Sequence, residues 1–190
     1  CDAVGDACPF DVTGFSFAGF PGVIIGHNPG LAWGITNLGA DVTDFFVERT
    51  QDDTYQVDGT WDEMTTRTEV IKVAGADDVT LEVRSTGHGP IISDVLDVEP
   101  VTGTPTEVVD GVLRAGGGGY EVALGWTALT PGRTADAIFA MNTAADAEDI
   151  AEAARLFEVP AQNIVFATTD GHIGYQAPGT VPVRGAVEGP

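Results

Sequence analysis

Basic residues are scarce in this sequence of 190 residues. Lys and Arg together number 8 against 29 Asp and Glu, which gives a formal net charge of −21 at pH 7. A chain this negative is repelled by other polyanions, which argues against nucleic acid or an anionic membrane surface as a partner. Cations are the natural counterparts of such a surface, and solubility is its simplest explanation.

Long apolar runs are missing as well. No segment approaches the ~20 apolar residues that a membrane-spanning helix needs, and the N-terminus lacks the basic and apolar regions of a signal peptide. The chain is therefore expected to be soluble, and its first residue, Cys1, indicates a processed or truncated product. With 43% hydrophobic residues the chain can bury a substantial core, which excludes a disordered protein.

Cysteine is limited to Cys1 and Cys8, with six residues between them. In an oxidising compartment the two thiols can close a small disulfide loop. Two free thiols and a catalytic Cys1 are the alternatives, because an N-terminal amine can serve as the base for its own side chain. The spacing does not suit zinc, since no further Cys or His lies near enough in sequence.

Pairs of a nucleophile and a base are also lacking. The serines are Ser16, Ser85 and Ser93, and none of them lies in a G-x-S-x-G elbow. The histidines, His27, His88 and His172, each follow a glycine at a turn. At such positions a hydrogen-bonded structural role is commoner than general-base catalysis. The sequence therefore shows no evident catalytic triad.

Strand patterns, by contrast, are abundant. A short apolar strand over 23–25 and a partner over 31–36 flank the turn HNPG, which predicts a β-hairpin. Further strands are predicted over 11–20, 44–51, 54–57, 65–73, 79–84, 89–93, 120–127, 137–139, 163–168 and 174–176. Sheet is therefore predicted to dominate the fold.

One helix is predicted, with Asp146 at its capping position, Glu148 and Asp149 in its first turn, and Pro160 as its stop. No internal repeat is visible, which disfavours propellers and solenoids. The predicted fold class is α+β, mainly antiparallel β-sheet with few helices, in a single region spanning 1–190. Residues 94–119, which contain Gly and Pro but few large apolar side chains, are predicted to form a flexible surface excursion.

Several segments, taken in order, resemble the penicillin acylase (penicillin amidase) family. They are PGVIIGHNPGLAWGITN with DVTDFFVER, TWDEMTTRTEVIKV, RSTGHGPIIS, LGWTAL and VPAQNIVFATTDGHIGYQAPGTVPVR, which together cover nearly the whole chain. The resemblance implies the αββα layered fold of N-terminal-nucleophile hydrolases, with this chain as an internal portion of the β-subunit. Family members cleave amides with an N-terminal serine, which the resemblance places upstream of Cys1.

The resemblance also assigns roles to single positions. Asn37 falls where the family uses a backbone N–H to stabilise the tetrahedral oxyanion, a role that any residue except proline can fill. Ile25, Ile35 and Gln162 occupy positions that line the acyl pocket in relatives. Ordinary strand packing explains the two isoleucines equally well.

A calcium site is the cofactor that the resemblance implies. In family members the segment matching 41–44 binds calcium through two carboxylates and an intervening carbonyl, here Asp41, Asp44 and the carbonyl of Thr43. Pro190 aligns with a further carbonyl ligand, and the remaining ligands fall outside this chain. Hard oxygen ligands at this spacing suit Ca²⁺, which takes six to eight of them.

The leading hypothesis is a portion of an amidohydrolase that cleaves linear amides, such as β-lactam side chains or acyl-homoserine lactones, through an acyl-enzyme. Its partners would be a small-molecule amide, the rest of the β-subunit and an α-subunit from the same precursor, in an extracellular or periplasmic location. Because the nucleophile is absent, the chain alone is expected to be inactive. The alternatives are a cysteine N-terminal-nucleophile amidase that uses Cys1 and a non-catalytic, calcium-stabilised β-rich module.

Overall fold

The computed structural model describes residues 10–96, 98, 101, 106–109, 112–115 and 119–185. The strands, in chain order, are β1 (Thr13–Phe15), β2 (Ile25–His27), β3 (Leu31–Asn37), β4 (Thr43–Gln51), β5 (Thr54–Val57), β6 (Thr60–Glu63), β7 (Thr65–Ile71), β8 (Val79–Ser85), β9 (Thr106–Val109), β10 (Val112–Ala115), β11 (Tyr120–Trp126), β12 (Gln162–Thr168) and β13 (Ile173–Gln176). The helices α1 (Thr134–Thr143) and α2 (Ala147–Ala154) follow a 3-10 turn over Thr127–Leu129. Neither of these described helices is long and apolar enough to cross a membrane.

The chain divides into two compact units. Unit 1 takes its described residues from Cys1–Val42 and Thr127–Pro190, and unit 2 is formed from Thr43–Trp126. Unit 2 is therefore an insertion in the sequence of unit 1. At the interruption, the N–H of Thr127 donates a hydrogen bond to the C=O of Val42 at 3.3 Å.

Unit 1 is built on a five-stranded sheet in the order β1-β2-β3-β12-β13, in which every neighbouring pair is antiparallel. Alternate residues of β3 and β12 point to one face, and helices α1 and α2 pack against that face. The largest buried side chains of this core are Leu31, Trp33, Ile138, Met141, Ile150, Phe157, Ile164 and Phe166. The core therefore lies between a sheet and two helices.

The predicted hairpin around the HNPG turn is confirmed, because β2 and β3 are antiparallel neighbours. Asn28 fixes the turn with its Oδ1, which accepts hydrogen bonds from the N–H groups of Gly30 and Leu31. The first strand begins at Ile25 and not at Val23. The physical reason is that the backbone N–H and C=O of Val23 form hydrogen bonds with the side chain of Asn142 in α1 and not with a neighbouring strand. Similarly, β1 occupies only three residues of the strand predicted over 11–20.

The predicted helix cap is confirmed at α2. Oδ1 of Asp146 accepts hydrogen bonds from the N–H groups of Glu148 at 2.9 Å and Asp149 at 3.0 Å. The strand predicted over 137–139 is wrong, because these residues lie in α1. Ala137, Ile138 and Met141 are buried at helical spacing, and three residues of apparent alternation are too few to distinguish a strand from a helix.

Unit 2 contains two four-stranded sheets, ordered β7-β8-β10-β9 and β11-β4-β5-β6. All neighbouring strands are antiparallel except β8 and β10. The strands predicted over 44–51, 54–57, 65–73, 79–84 and 120–127 are confirmed to within two residues at each end. Over 89–93, where a strand is predicted, only Pro90 and Ile91 form isolated bridges.

The segment 94–119, predicted as a surface excursion, contains β9 and β10, which extend the sheet of β7 and β8. Residues 97, 99–100, 102–105, 110–111 and 116–118 of this segment lie outside the described residues. The described part of the segment therefore contributes to sheet structure. Its flexibility stays a prediction.

Arg84 is the centre of a buried ion-pair network in unit 2. Its Nε and Nη2 donate to the two carboxylate oxygens of Asp94 at 3.0 and 2.6 Å, and Nη2 also donates to Oε1 of Glu121 at 2.6 Å. None of the three side chains is more than 6% exposed. Burial by itself lowers the pKa of Arg84, but the hydrogen bonds and charges of the two carboxylates outweigh it and raise that pKa above its ordinary value.

Candidate functional site

A pocket of about 270 Å³ opens in unit 1, where β3 ends and β12 begins. Its walls are Phe17, Phe20, Ile24, Ile35, Thr134, Ala135, Ile138, Phe157 and Pro160, and its remaining lining residues are Asn37 and Gln162. An apolar cavity of about 150 Å³ can hold benzene, so this pocket has room for an aryl group or a short alkyl chain. Apolar clefts with a few polar groups are typical of small-molecule sites.

Strand register brings the polar residues of the pocket together. Gln162 lies directly opposite Asn37 in the antiparallel ladder of β3 and β12, so both side chains point to the helix-covered face. Ile35 lies on the same face, one pair further along, opposite Ile164. Residues more than a hundred positions apart in sequence thus meet at the end of two strands.

Asn142 of α1 fixes the segment that carries Phe20 and Ile24. Its Oδ1 accepts a hydrogen bond from the N–H of Val23 at 2.8 Å, and its Nδ2 donates to the C=O of Val23 at 2.7 Å. The Asn142 side chain, only 3% exposed, therefore takes the place of a strand partner. Nε1 of Trp33 donates to the C=O of Ile24 at 2.9 Å and fixes the next residue.

Thr134 fixes another wall of the pocket. Its hydroxyl donates to the C=O of Val159 at 2.9 Å and accepts from the N–H groups of Glu158 and Val159, both at 3.1 Å. These bonds join the start of α1 to the turn that carries Phe157 and Pro160. A hydroxyl has one hydrogen to donate and two lone pairs to accept with, and the Thr134 hydroxyl uses all three in these bonds. It therefore cannot form a hydrogen bond to a ligand.

The main-chain N–H of Asn37 points away from β12. The N–H of Leu38 donates to the C=O of Ala161, and bonded and non-bonded pairs alternate in an antiparallel ladder, so Asn37 and Gln162 form a non-bonded pair. On the other side, β2 pairs with β3 only as far as Trp33. Within the described residues the N–H of Asn37 therefore has no strand partner.

The structure brings three of the predicted site residues, Ile35, Asn37 and Gln162, to one pocket. Ile25 does not line it, and its side chain is 40% exposed. Its neighbour Ile24 lines the pocket instead, because successive residues of an extended chain point to opposite faces. The role predicted for these residues from the resemblance stays a prediction.

Sequence reasoning missed most of the apolar lining. Phe17 and Phe20 lie between β1 and β2, Ile138 lies in α1, and Phe157 follows α2. Phe157 carries a detectable signal, because it continues the apolar face of α2. No comparable local pattern marks the others as neighbours of one pocket.

Three of the four predicted calcium ligands lie within residues 41–44, at the boundary between the two units in the sequence. Asp41 lies in unit 1, Thr43 and Asp44 open β4 in unit 2, and Pro190 lies outside the described residues. Nη2 of Arg184 lies 3.4 Å from Oδ1 of Asp41, and its Nη1 donates to the Asp41 carbonyl at 3.2 Å. The Arg184 guanidinium thus contacts one carboxylate oxygen of a predicted ligand. The described residues contain no group of three or more His, Cys, Asp or Glu that could hold a metal. The calcium site therefore stays a prediction.

Two histidines pair with carboxylates outside the pocket. Nδ1 of His88 lies 2.7 Å from Oε1 of the buried Glu48, and its ring stacks on Phe46 with centroids 4.0 Å apart. Nδ1 of His172 lies 3.0 Å from Oδ1 of Asp170, and this hydrogen bond raises the pKa of His172. These contacts agree with the structural role that the sequence predicts for them.

Among the described residues, none of the serines, Ser16, Ser85 and Ser93, lines the pocket. Ser93 is fully buried in unit 2, and its Oγ accepts a hydrogen bond from the N–H of Val122 at 3.2 Å. Cys1 and Cys8 lie outside the described residues. The disulfide and the alternative nucleophile therefore stay predictions.

Comparison with known families gives a match over residues 3–189 to the penicillin amidase family. The chain belongs to this family. An acyl-homoserine lactone acylase, QuiP, from Pseudomonas fluorescens is 30% identical over 184 residues, which is 95% of this chain and 21% of that protein. Penicillin G acylase from Escherichia coli is 36% identical over 86 residues, 44% of this chain and 10% of that protein.

A thermostable penicillin G acylase from Alcaligenes faecalis has the same fold over 97% of this chain and 30% of its own, with a TM-score of 0.74 and 24% identity. The mainly antiparallel sheets and helices of the chain are therefore those of an N-terminal-nucleophile hydrolase, as predicted. The relatives of this penicillin amidase chain are acylases, so the family is one of amidohydrolases. The chain spans about a fifth of the length of the first of these relatives.

Proposed function

We propose that the protein to which this chain belongs hydrolyses linear amides, and that the pocket at the end of β3 binds the acyl group. One observation supports this most directly. An apolar cavity is lined at its polar end by Asn37, whose main-chain N–H has no strand partner among the described residues. Hydrocarbon fits such a cavity, and an N–H at its end can stabilise charge that develops on a carbonyl oxygen.

In this proposal Asn37 acts through its main chain. Its N–H donates to the oxyanion of the tetrahedral intermediate, and loss of one such donor in other hydrolases costs about 10²–10³ in kcat. Ile35 and Gln162 line the acyl site beside it. Ile25 is assigned to this site by the family resemblance alone.

The attacking group in this proposal is an N-terminal serine elsewhere in the β-subunit. Its own amine takes the hydroxyl proton, the oxygen bonds to the acyl carbon, the protonated amine of the substrate leaves, and water then releases the acid. The rest of the β-subunit and an α-subunit from the same precursor complete the enzyme, in an extracellular or periplasmic location. The isolated chain would have little or no turnover.

Hydrolysis of two anilides by the whole protein tests the assignment of the pocket. Ile35→Phe takes up space in the cavity, and a misfit of about one methylene in an apolar pocket is worth roughly 10–200-fold, so kcat/KM for a phenylacetyl anilide should fall roughly 10-fold or more. The same variant should affect an acetyl anilide much less. Ile35→Leu keeps the side-chain volume and serves as the matched control. Equal losses for both substrates would mean that the acyl group binds elsewhere.

The isolated 190-residue chain provides a second test in the same assay. We expect no release of the aniline, because the proposed nucleophile lies outside these residues. Robust release that Cys1→Ala abolishes would instead support the cysteine amidase hypothesis.

Calcium binding is tested separately, because no step of the proposed hydrolysis uses the ion. A melting temperature of the whole protein that rises with added calcium and falls with a chelator would support the predicted site. Asp41→Asn should then weaken the response to calcium. A melting temperature that calcium leaves unchanged would remove calcium from the proposal.

A further inference from the structure

Two carboxamides form the polar end of the pocket. Nε2 of Gln162 donates a hydrogen bond to Oδ1 of Asn37 at 2.8 Å. Gln162 is only 5% exposed, and its position opposite Asn37 in the ladder fixes where its side chain lies. A polar side chain this deeply buried normally satisfies its hydrogen-bonding groups.

The bond uses only half of each carboxamide. Asn37 keeps the two hydrogens of Nδ2, Gln162 keeps its Oε1, and no side chain or backbone group among the described residues bonds to either. If both amides turn over by 180°, one NH₂ and one C=O are again left, with the two residues exchanged. The pocket therefore carries one donor and one acceptor side by side in either orientation.

No other side chain in the described lining offers a hydrogen bond to a ligand. The hydroxyl of Thr134 is fully used by the backbone at 158–159. All the other side chains around the cavity are apolar. Among the described lining residues, Asn37 and Gln162 are thus the only ones whose side chains can hydrogen-bond to an acyl group in this pocket.

An adjacent donor and acceptor match a hydroxyl group, which accepts one hydrogen bond and donates another. A keto group can bond only to the NH₂, and a methylene leaves both amide groups unsatisfied once water is displaced. The main-chain N–H of Asn37 is the proposed oxyanion donor, so the matching hydroxyl must lie on an acyl carbon close to the scissile carbonyl.

We propose that the Asn37–Gln162 pair is a specificity determinant that selects acyl groups with a hydroxyl on the second or third carbon over unsubstituted acyl groups. This inference rests on the proposed function, since it assumes that the pocket receives the acyl group. One to two ordinary hydrogen bonds, at about 1 kcal/mol each, correspond to a preference of about 5- to 30-fold in kcat/KM. A keto group should rank between the hydroxyl and the methylene.

The first test compares 3-hydroxyhexanoyl and hexanoyl anilides as substrates of the whole protein. The wild type should prefer the hydroxylated substrate, and Gln162→Met, which keeps the length but removes the carboxamide of Gln162, should weaken the preference, because the hydroxyl then meets Asn37 alone. Ile35→Leu is the matched control, because it changes an apolar wall and keeps the pair, so the ratio of the two kcat/KM values should stay as in the wild type.

The second test measures binding without turnover. Calorimetry gives the dissociation constants of 3-hydroxyhexanoate and hexanoate, and the ratio of the two cancels any effect of their shared carboxylate. Should the protein bind the hydroxy acid more tightly but hydrolyse neither anilide, the proposed function fails while the selectivity of the pair stands. Hydrolysis of both anilides with equal kcat/KM, or equal dissociation constants for the two acids, overturns the inference. Hydrolysis of both anilides would still leave the proposed function intact.

Asn37→Ala covers the case in which Gln162→Met does not fold. Asn37 is exposed, and alanine keeps the main-chain N–H while it removes the carboxamide. This variant should also weaken the preference for the hydroxyl. The pair does not select the acyl group if Asn37→Ala keeps the full preference, or if the variants lower kcat/KM for both substrates by the same factor.

Discussion

Replacing Arg84 by methionine should destabilise unit 2 severely. Methionine has a similar length and fills the space of the aliphatic stem, so the change mainly removes charge. The guanidinium makes two hydrogen bonds to Asp94 and one to Glu121, and none of the three side chains is more than 6% exposed. The variant therefore leaves two buried carboxylates without the cation that compensates them.

The magnitude follows from the burial of the network. Removing one partner of a buried ion pair costs about 3–5 kcal/mol, because the remaining charge stays desolvated. Arg67, on the adjacent strand β7, offers a matched control, since its pair with Glu69 is 72% and 51% exposed. An exposed pair of this kind contributes about 0–1 kcal/mol. Arg67→Met should therefore be nearly neutral, and Arg84→Lys, which keeps the charge but not the two-pronged geometry, should fall between them.

Urea denaturation followed by circular dichroism gives the free energy of unfolding of each variant. Hydrogen exchange read by mass spectrometry should locate the loss of protection in β4, β8 and β11 for Arg84→Met. A difference of less than about 1 kcal/mol between Arg84→Met and Arg67→Met would refute the argument. In that case the network would contribute no more than a surface pair.

Three further predictions concern unit 1. Asn142→Leu should cost about 1–3 kcal/mol of unfolding free energy, because the backbone N–H and C=O of Val23 lose their partner, and thermal melting measures the loss. Asp146→Ala should cost about 0.5–2 kcal/mol, since two N–H groups at the start of α2 lose their cap, whereas Asp146→Asn should recover most of it in the same measurement. Asp170→Asn should lower the pKa of His172, followed by NMR, because the carboxylate holds it above its ordinary value. The contribution of His172 to stability is present below its unfolded pKa of 6.5 and is lost as pH rises through the raised pKa of the folded state. An unchanged pKa of His172 in Asp170→Asn would contradict the pairing.

The strands were predictable because alternation and turn chemistry are local. In β7 and β8 the side chains of successive residues alternate between the two faces of the sheet. The glycine of the connecting turn, Gly75, has a φ of 79°, a conformation that residues with a side chain rarely adopt. The cap of α2 was predictable for the same reason, since Asp146 acts on N–H groups only two and three residues away.

Helix α1 was not predictable in this way. Its N-cap residue, Arg133, makes no side-chain capping bond, so the sequence carries no start signal there. The helix is stabilised by contacts distant in sequence, such as the burial of Met141 against the sheet. Because the sequence did not predict α1, it also did not predict the pocket wall that α1 forms or the hydrogen bonds of Asn142 to the backbone of Val23.

The candidate site was predictable only in part and only through family resemblance. That resemblance selected Ile35, Asn37 and Gln162, which the fold brings to one pocket. The bond between the two carboxamides depends on the register of β3 against β12, and no local pattern encodes that register. Ile24 and Ile25 are neighbours of the same type, and only Ile24 points into the pocket. The sequence alone does not show which of the two points there, because this depends on where β2 begins.

The hydrogen bond between Thr127 and Val42 means that the chain leaves unit 1 and returns to it at neighbouring points. A loop that departs and arrives at one place can change length at small entropic cost, about 0.6 kcal/mol for each doubling. Insertions and deletions in the turns of unit 2 can therefore accumulate while β3 and β12, which frame the pocket, keep their spacing. For protein engineering, this junction is the natural point at which to exchange the inserted segment between members of the penicillin amidase family.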